Sequence, residues 1–290
     1  MFIPKGRAHV FWQSVHAGAI AAMREAHGFD IVWNGPASET DYEGQIKIMD
    51  AAINQHVDAI CIAPIDKKIL ISLVDHARAV NIPVIIFDSP IDTDTFTSQV
   101  ATDNYQGGRM AAQRLGEILK GQGKVAEVAV QPGSASTMLR EQGFEEFLKQ
   151  ELKGIKLVDK QYGMADFAQS LKVAENMLTA APDLTGMFAS NESSTVGAVR
   201  ALKDRKGVKL VGFDSSPQLL EALKEGTIDS LVVQDPFQMG FKSMKAAIEK
   251  IDGGNPEHIQ NIQPTLVTRE NMSLPEIQAK INPDLDKYLK

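Results

Sequence analysis

The 290-residue chain contains a single cysteine, so no disulfide can form within it. Cys61 lies in the apolar run AICIAP, where a thiol behaves as a small hydrophobe rather than a reactive group. A chain this long needs no staples, so its poverty in cysteine is compatible with an oxidising as well as a reducing compartment. No stretch approaches the run of about 18 apolar residues that crosses a bilayer. Excess positive charge is also missing. The net charge is -7, with lysines and glutamates interspersed, which argues against a nucleic-acid partner. The six histidines, at 9, 16, 27, 56, 76 and 258, include no pair at metal-ligand spacing, so no metal is expected, and His16 and His27 read as solvated helix residues. GQGK (121–124) is too short for a phosphate loop and YQGGR (105–109) sits in a helical pattern, so no dinucleotide cofactor is expected. The start carries no basic region, apolar core or cleavage site of an export signal. Only Met1, Phe2 and Ile3 precede Pro4, a strand cut short, and together these features lead us to expect a shortened start of an exported protein rather than a cytosolic one.

What is present is an alternation of β-branched runs and helical patterns. At 43% apolar and 23% charged residues the composition is that of a globular protein, and the length suits two lobes. FDIVW (29–33), VDAICIA (57–63) and IPVIIFD (82–88) read as buried parallel strands. Tyr42, Ile46, Met49 and Ile53 recur at helical spacing, as do Ile69, Leu73, Val74 and Ala77. A second series follows: KVAEVAV (124–130), IKLVD (155–159), LTGMFAS (184–190), VKLVGFD (208–214) and DSLVVQ (229–234). IPVIIFDSP and VKLVGFDSSP both end a strand in Phe-Asp-Ser followed by proline, at matching places in each series, which reads as a duplication. The fold class is α/β.

In open parallel sheets, ligands bind outside the carboxyl ends of the strands. Here those ends carry Lys5, Asn34, Asp88, Gln131, Asn191, Asp214 and Gln234, groups that hydrogen-bond hydroxyls, and no serine, cysteine or histidine has an evident partner for nucleophilic attack. Binding without catalysis is expected. Plainer roles compete at each position. Asp88 and Asp214 also suit Asx-turns or helix caps, Phe11 and Trp12 core staples at a helix start, Arg140 an exposed helix position, Asn191 the cap of ESSTVGAVRAL, and Gln234 a linker.

The segments IPVIIFDSP, VATDNYQGGRMAAQRL, LREQGF, ADFAQSLKVAENMLTAAPDLTGMFASNE, VGAVRAL, KLVGFDSSPQ and VVQDPFQMG occur in the order seen in a known family. Over nearly its whole length the chain resembles the periplasmic sugar-binding proteins of the ribose-binding type, whose lobes are shared with the LacI repressors. The resemblance implies two Rossmann-like lobes with parallel sheets joined by a three-segment hinge, with crossings near residues 101–103, 234–236 and 264–266. The lobes are then 1–102 plus 236–263, and 103–235 plus 264–290. It further implies a site made of Asp88, Arg140, the aromatic Phe167, Asn191, Asp214 and Gln234, with His9 standing where ribose binders have asparagine and Phe11 and Trp12 where they have paired phenylalanines. Two positions depart from the pattern: Ser89 replaces an arginine and Lys5 a serine. The ligand implied is a sugar or polyol, with ribose itself disfavoured and hexose, deoxy sugar, sugar alcohol and sugar acid all open. The partners implied are that ligand and the membrane permease of a bacterial ABC importer, with the protein monomeric and periplasmic. The same lobes would serve as the effector-binding domain of a LacI-type regulator, although the chain lacks a helix-turn-helix. A Rossmann-type sugar enzyme is disfavoured by the missing glycine fingerprint.

Overall fold

Apolar runs without polar alternation belong in parallel sheets covered by helices on both faces, and the chain is built in that way. The computed structural model describes residues 1–290. Its first part holds β1 (Phe2–Ile3), α1 (Val10–Ala26), α2 (Tyr42–Asn54), β2 (Ile60–Ile62), α3 (Ile71–Ala79), β3 (Val84–Phe87) and β4 (Ser98–Thr102). Next come α4 (Asn104–Ile118), β5 (Gly123–Ala129), α5 (Ala135–Glu151), β6 (Ile155–Tyr162), α6 (Phe167–Ala180), β7 (Gly186–Ala189), α7 (Glu192–Leu202), β8 (Lys209–Phe213), α8 (Pro217–Glu225) and β9 (Ser230–Val233). The chain ends with α9 (Pro236–Ile251), β10 (Ile259–Ile262), β11 (Thr265–Thr268), α10 (Pro275–Ile281) and α11 (Asp286–Leu289). One sheet has the order β1-β2-β3-β4-β10 and the other β11-β9-β8-β7-β5-β6. Every pairing is parallel except that of β11 with β9. The backbone passes from the first sheet to the second after β4, returns after β9, and crosses again between β10 and β11.

Strand periodicity divides each sheet between two cores. Ile3, Ile60, Ile62, Val84 and Ile86 face α2 and α3, while Phe2, Cys61, Ile85 and Phe87 face α1 and α9. In the second sheet Val128, Met187, Leu210 and Leu231 face the α6–α8 side, and Val125, Phe188, Val211 and Phe213 face α4 and α5. Burial pushes the Cys61 thiol up to about 12, so it is inert as a nucleophile. The helix pairs α1/α9 and α4/α5 repeat one device. Gly18 abuts the carbonyl of Phe237 and Gly240 that of Val15; Gly108 abuts the carbonyl of Arg140 and Gly143 that of Tyr105. A methyl group at any of the four would overlap a backbone oxygen, so each pair packs at a distance only glycine permits. The second pair sets the position of Arg140.

Some expectations need correcting. FDIVW is an edge segment, not a buried strand: only Trp33 bridges to Phe2, and Asp30 and Val32 are exposed. With β1 only two residues long, there is little edge for it to pair with. SQVAT, IQNI and TLVT form β4, β10 and β11 although their polar residues hide the strand period; neighbouring strands supply the hydrogen bonds that their side chains do not advertise. His16 is half-buried rather than solvated. It stacks on Trp33 with ring centroids 4.3 Å apart, and burial lowers its pKa. His27 does remain exposed. Past α10 the chain runs back to the first sheet's helices, where Arg24 donates to the carbonyls of Lys287 (2.8 Å) and Tyr288 (3.3 Å).

Candidate functional site

The repeated Phe-Asp-Ser is a repeated piece of geometry. Asp88 follows β3 with φ 62° and Asp214 follows β8 with φ 70°, a left-handed conformation that aspartate tolerates better than most residues. In both, the amide donates to the neighbouring strand, to Val100 O at 3.0 Å and to Val232 O at 2.9 Å. The two carboxylates line one cavity between the sheets, together with Lys5, His9, Phe11, Trp12 and Glu39 from the first part of the chain and Ser136, Thr137, Arg140, Asn191, Glu192 and Gln234 from the second. Nine of the eleven site residues that the resemblance implies are thus brought together.

The other two lie just behind the wall. Ser89 is fully buried and joins Ser136 through its hydroxyl, donating to Oγ at 3.1 Å and accepting from N at 3.0 Å. Phe167 opens α6 and meets the His9 ring edge-on, centroids 5.3 Å apart. Asn34 is exposed, away from the cavity. Phe11 and Trp12 combine both roles weighed for them: they line the cavity, yet they also belong to the core on the α1 side, Trp12 packing edge-on to Phe87.

Charges around the cavity are arranged as pairs. Lys5 Nζ sits 2.7 Å from Asp88 Oδ2 and also donates to Ser136 Oγ at 3.0 Å, reaching across to α5. His9 Nδ1 lies 2.8 Å from Glu39 Oε1, which also accepts from the Trp12 indole at 2.9 Å. Burial opposes charge on both members of that pair. Their mutual attraction prevails, raising His9 to about 9 and, with help from Lys5, holding Glu39 at about 2. Arg140, only 2% exposed, donates to Asn104 Oδ1 (2.8 Å) and Ser190 O (2.9 Å), stacks 4.0 Å over Phe213, and lies 4.0 Å from Asp214 Oδ2. Burial raises the pKa of Asp214, which Arg140 and the donors Gln234 (2.7 Å) and Glu192 N (2.8 Å) counteract. Gln234 in turn accepts from Thr102 Oγ1 at 2.7 Å, tying the first and second crossings of the chain to the site. Asn191 caps α7 through Ser194 N at 2.9 Å while its residue borders the cavity. The cleft is shut: Gln131 Nε2 donates to Glu39 O at 2.7 Å, and Lys67 N to Gly133 O at 3.0 Å.

Four cavity residues were not legible in the sequence: Glu39, Ser136, Thr137 and Glu192. Glu39 lies in a loop without periodicity. Glu192 stands beside Asn191 in ASNE, and adjacency to a strand end is the one signal that could have found it.

The His9–Glu39 pair carries a pH signature. A folded-state pKa above the ordinary 6.5 means that the histidine's contribution is complete below pH 6.5 and lost as pH rises through 9. Unfolding free energy is expected to fall by on the order of 3 kcal/mol across that window. In His9→Gln, urea titrations should show that decline removed; equal slopes in both proteins would mean that the imidazole is uncharged.

The geometry agrees with known proteins. Residues 1–255 match the model of the periplasmic binding protein domain family. The chain is 32% identical over 217 residues to the ribose import binding protein of Bacillus subtilis, covering 74% of this chain and 70% of that one. It is 30% identical over 266 residues to the D-ribose/D-allose-binding protein of Pseudomonas aeruginosa, covering 88% and 83%. A carbohydrate transporter solute-binding protein from Agrobacterium radiobacter, solved in complex with D-arabinose, superimposes with a TM-score of 0.93 at 37% identity over 97% of both chains. An ABC transporter solute-binding protein from Agrobacterium vitis with bound D-fucose gives 0.94 at 31% identity, covering 97% of this chain and 98% of that one. With two parallel-sheet lobes facing each other across this cavity, the chain belongs to the periplasmic binding protein family, among its sugar-binding members of the ribose-binding type.

Proposed function

We propose that the protein is the solute receptor of a bacterial ABC importer and that it traps one neutral monosaccharide or polyol between its lobes. The observation that carries this is the pairing of charges around the cavity. Lys5 and Arg140 are already matched by Asp88 and Asp214, so neither is a free cation for a sugar acid. Matched pairs offer both donors and acceptors to hydroxyls, strengthened by charge. Neighbours solved with bound D-arabinose and D-fucose support a single monosaccharide as the ligand.

In this reading the lobes are 1–102 plus 236–263 and 103–235 plus 264–290, hinged at the three crossings, with α11 lying back against α1 of the first lobe. The ligand touches both lobes only when they close, so it shifts the hinge equilibrium toward the closed form. That form docks, as a monomer in the periplasm, on the membrane permease. The test is a thermal-shift screen with pentoses, hexoses, deoxyhexoses, polyols and sugar acids. A neutral member is expected to raise the melting temperature in proportion to the logarithm of its concentration. A response confined to sugar acids, or none at all, would overturn the proposal.

A further inference from the structure

Four carboxylates border the cavity, against three cations. Asp88, Glu39 and Asp214 face Lys5, His9 and Arg140 at 2.7, 2.8 and 4.0 Å. Glu192, the first residue of α7 and only 4% exposed, makes no ion pair. Its oxygens receive two long backbone contacts from the start of α1, Val10 N at 3.5 Å and Phe11 N at 3.4 Å. His9 shows the complementary deficit: Nδ1 is engaged by Glu39, whereas Nε2 is buried and has no partner in the protein. An under-bonded acceptor from one lobe and an unpartnered ring nitrogen from the other therefore border the same space.

We propose that Glu192 and His9 together hold one hydroxyl of the bound sugar, which accepts from His9 Nε2–H and donates to a Glu192 oxygen, making Glu192 a specificity-determining residue. This rests on the sugar-binding reading above. A hydroxyl is the group that satisfies both sides at once. An ammonium would confront the ring N–H, and a carboxylate would confront Glu192. Because the two side chains come from different lobes, the hydroxyl is fully bonded only in the closed cleft.

The groups that face Glu192 are His9 from the loop before α1, the first amides of α1, and Asp214 from the end of β8, which accepts from the Glu192 amide. Burial, reinforced by Asp214, lifts the Glu192 carboxyl to about 7, against the pull of His9 and the amides. A carboxyl raised from its ordinary 4.5 weakens the unliganded fold as pH climbs through 7. Glu192 thus opposes stability where its ionised form is ready to bind.

The experiment uses wild type, Glu192→Ala and Glu192→Gln at pH 8. The probe is whichever neutral sugar or polyol of the thermal-shift screen, with D-ribose, D-arabinose, D-allose and D-fucose among them, most raises the wild-type melting temperature, together with its monodeoxy analogues, titrated by calorimetry. Glu192→Ala is expected to weaken the parent sugar about ten- to hundred-fold, the range of one charge-assisted hydrogen bond. With one monodeoxy analogue, and that one alone, wild type and Glu192→Ala should bind equally. Unliganded Glu192→Gln should melt above wild type while binding the parent sugar less tightly, a combination that a merely structural role does not produce. Unchanged affinity in Glu192→Ala, or an equal loss with every analogue, overturns the inference and leaves sugar binding standing. Failure of every neutral sugar and polyol in the thermal-shift screen to shift wild type overturns both.

Discussion

Arg140→Ala is expected to lose all detectable sugar binding and about 3–5 kcal/mol of stability, the loss typical of breaking a buried ionic contact from one side. The guanidinium is held on three sides, by Asn104, by the Ser190 carbonyl and by the face of Phe213. Removing it leaves Asp214 buried beside a void with only Gln234 and the Glu192 amide as donors. Lysine would not repair the site, because one ammonium cannot span Asn104 and Ser190 while stacking on a ring. Urea titration reads the stability and calorimetry the affinity. An Arg140→Ala protein that binds sugar as wild type does would remove Arg140 from the site.

Asp88→Ala should be nearly as severe, for the opposite reason. It strands the Lys5 ammonium, 3% exposed, with hydroxyls as its remaining partners. We expect a loss of about 3–5 kcal/mol from the unpaired charge and an affinity at least roughly a hundred-fold lower, since an acceptor of sugar hydroxyls disappears with the carboxylate. The double variant Lys5→Met/Asp88→Leu separates the two effects. An apolar pair of similar volume is expected to recover most of the stability and none of the binding. If the double variant binds, Asp88 does not touch the ligand; if Asp88→Ala alone is fully stable, the Lys5 charge is not confined as the geometry shows.

Both predictions concern residues that the sequence singles out, and for Asp88 the reason is positional. Asp88, Asn191 and Asp214 follow unbroken apolar strands, so the end of each strand could be counted, and the end of a parallel strand is where a ligand is met. Phe167 and Arg140 were different, because helix periodicity says nothing about them and only the family resemblance pointed there. Arg140 is carried by a helix whose seat against α4 depends on Gly108 and Gly143, two close contacts that no local pattern announces. Glu39 and Glu192 were missed because a carboxylate in a loop or at the start of a helix reads as ordinary solvated charge. Glu192 is covered by the start of α1, 181 and 182 residues away along the chain, while Glu39 is held by His9 and Trp12 and closed over by Gln131, 92 residues away.

The alternation of apolar strands and amphipathic helices, read twice along the chain, was sufficient to determine an α/β fold in two halves, because burial on both faces of a parallel sheet leaves its mark on every residue of a strand. FDIVW shows the limit of that reading: an apolar run marks a strand only where a partner edge exists to receive it, and β1 offers two residues. Tertiary structure decided which charges meet. Lys5 with Asp88, His9 with Glu39, and Glu192 with none are outcomes of two surfaces brought face to face. Coulomb energies depend on distance and on exclusion of water, and neither exists until the lobes close.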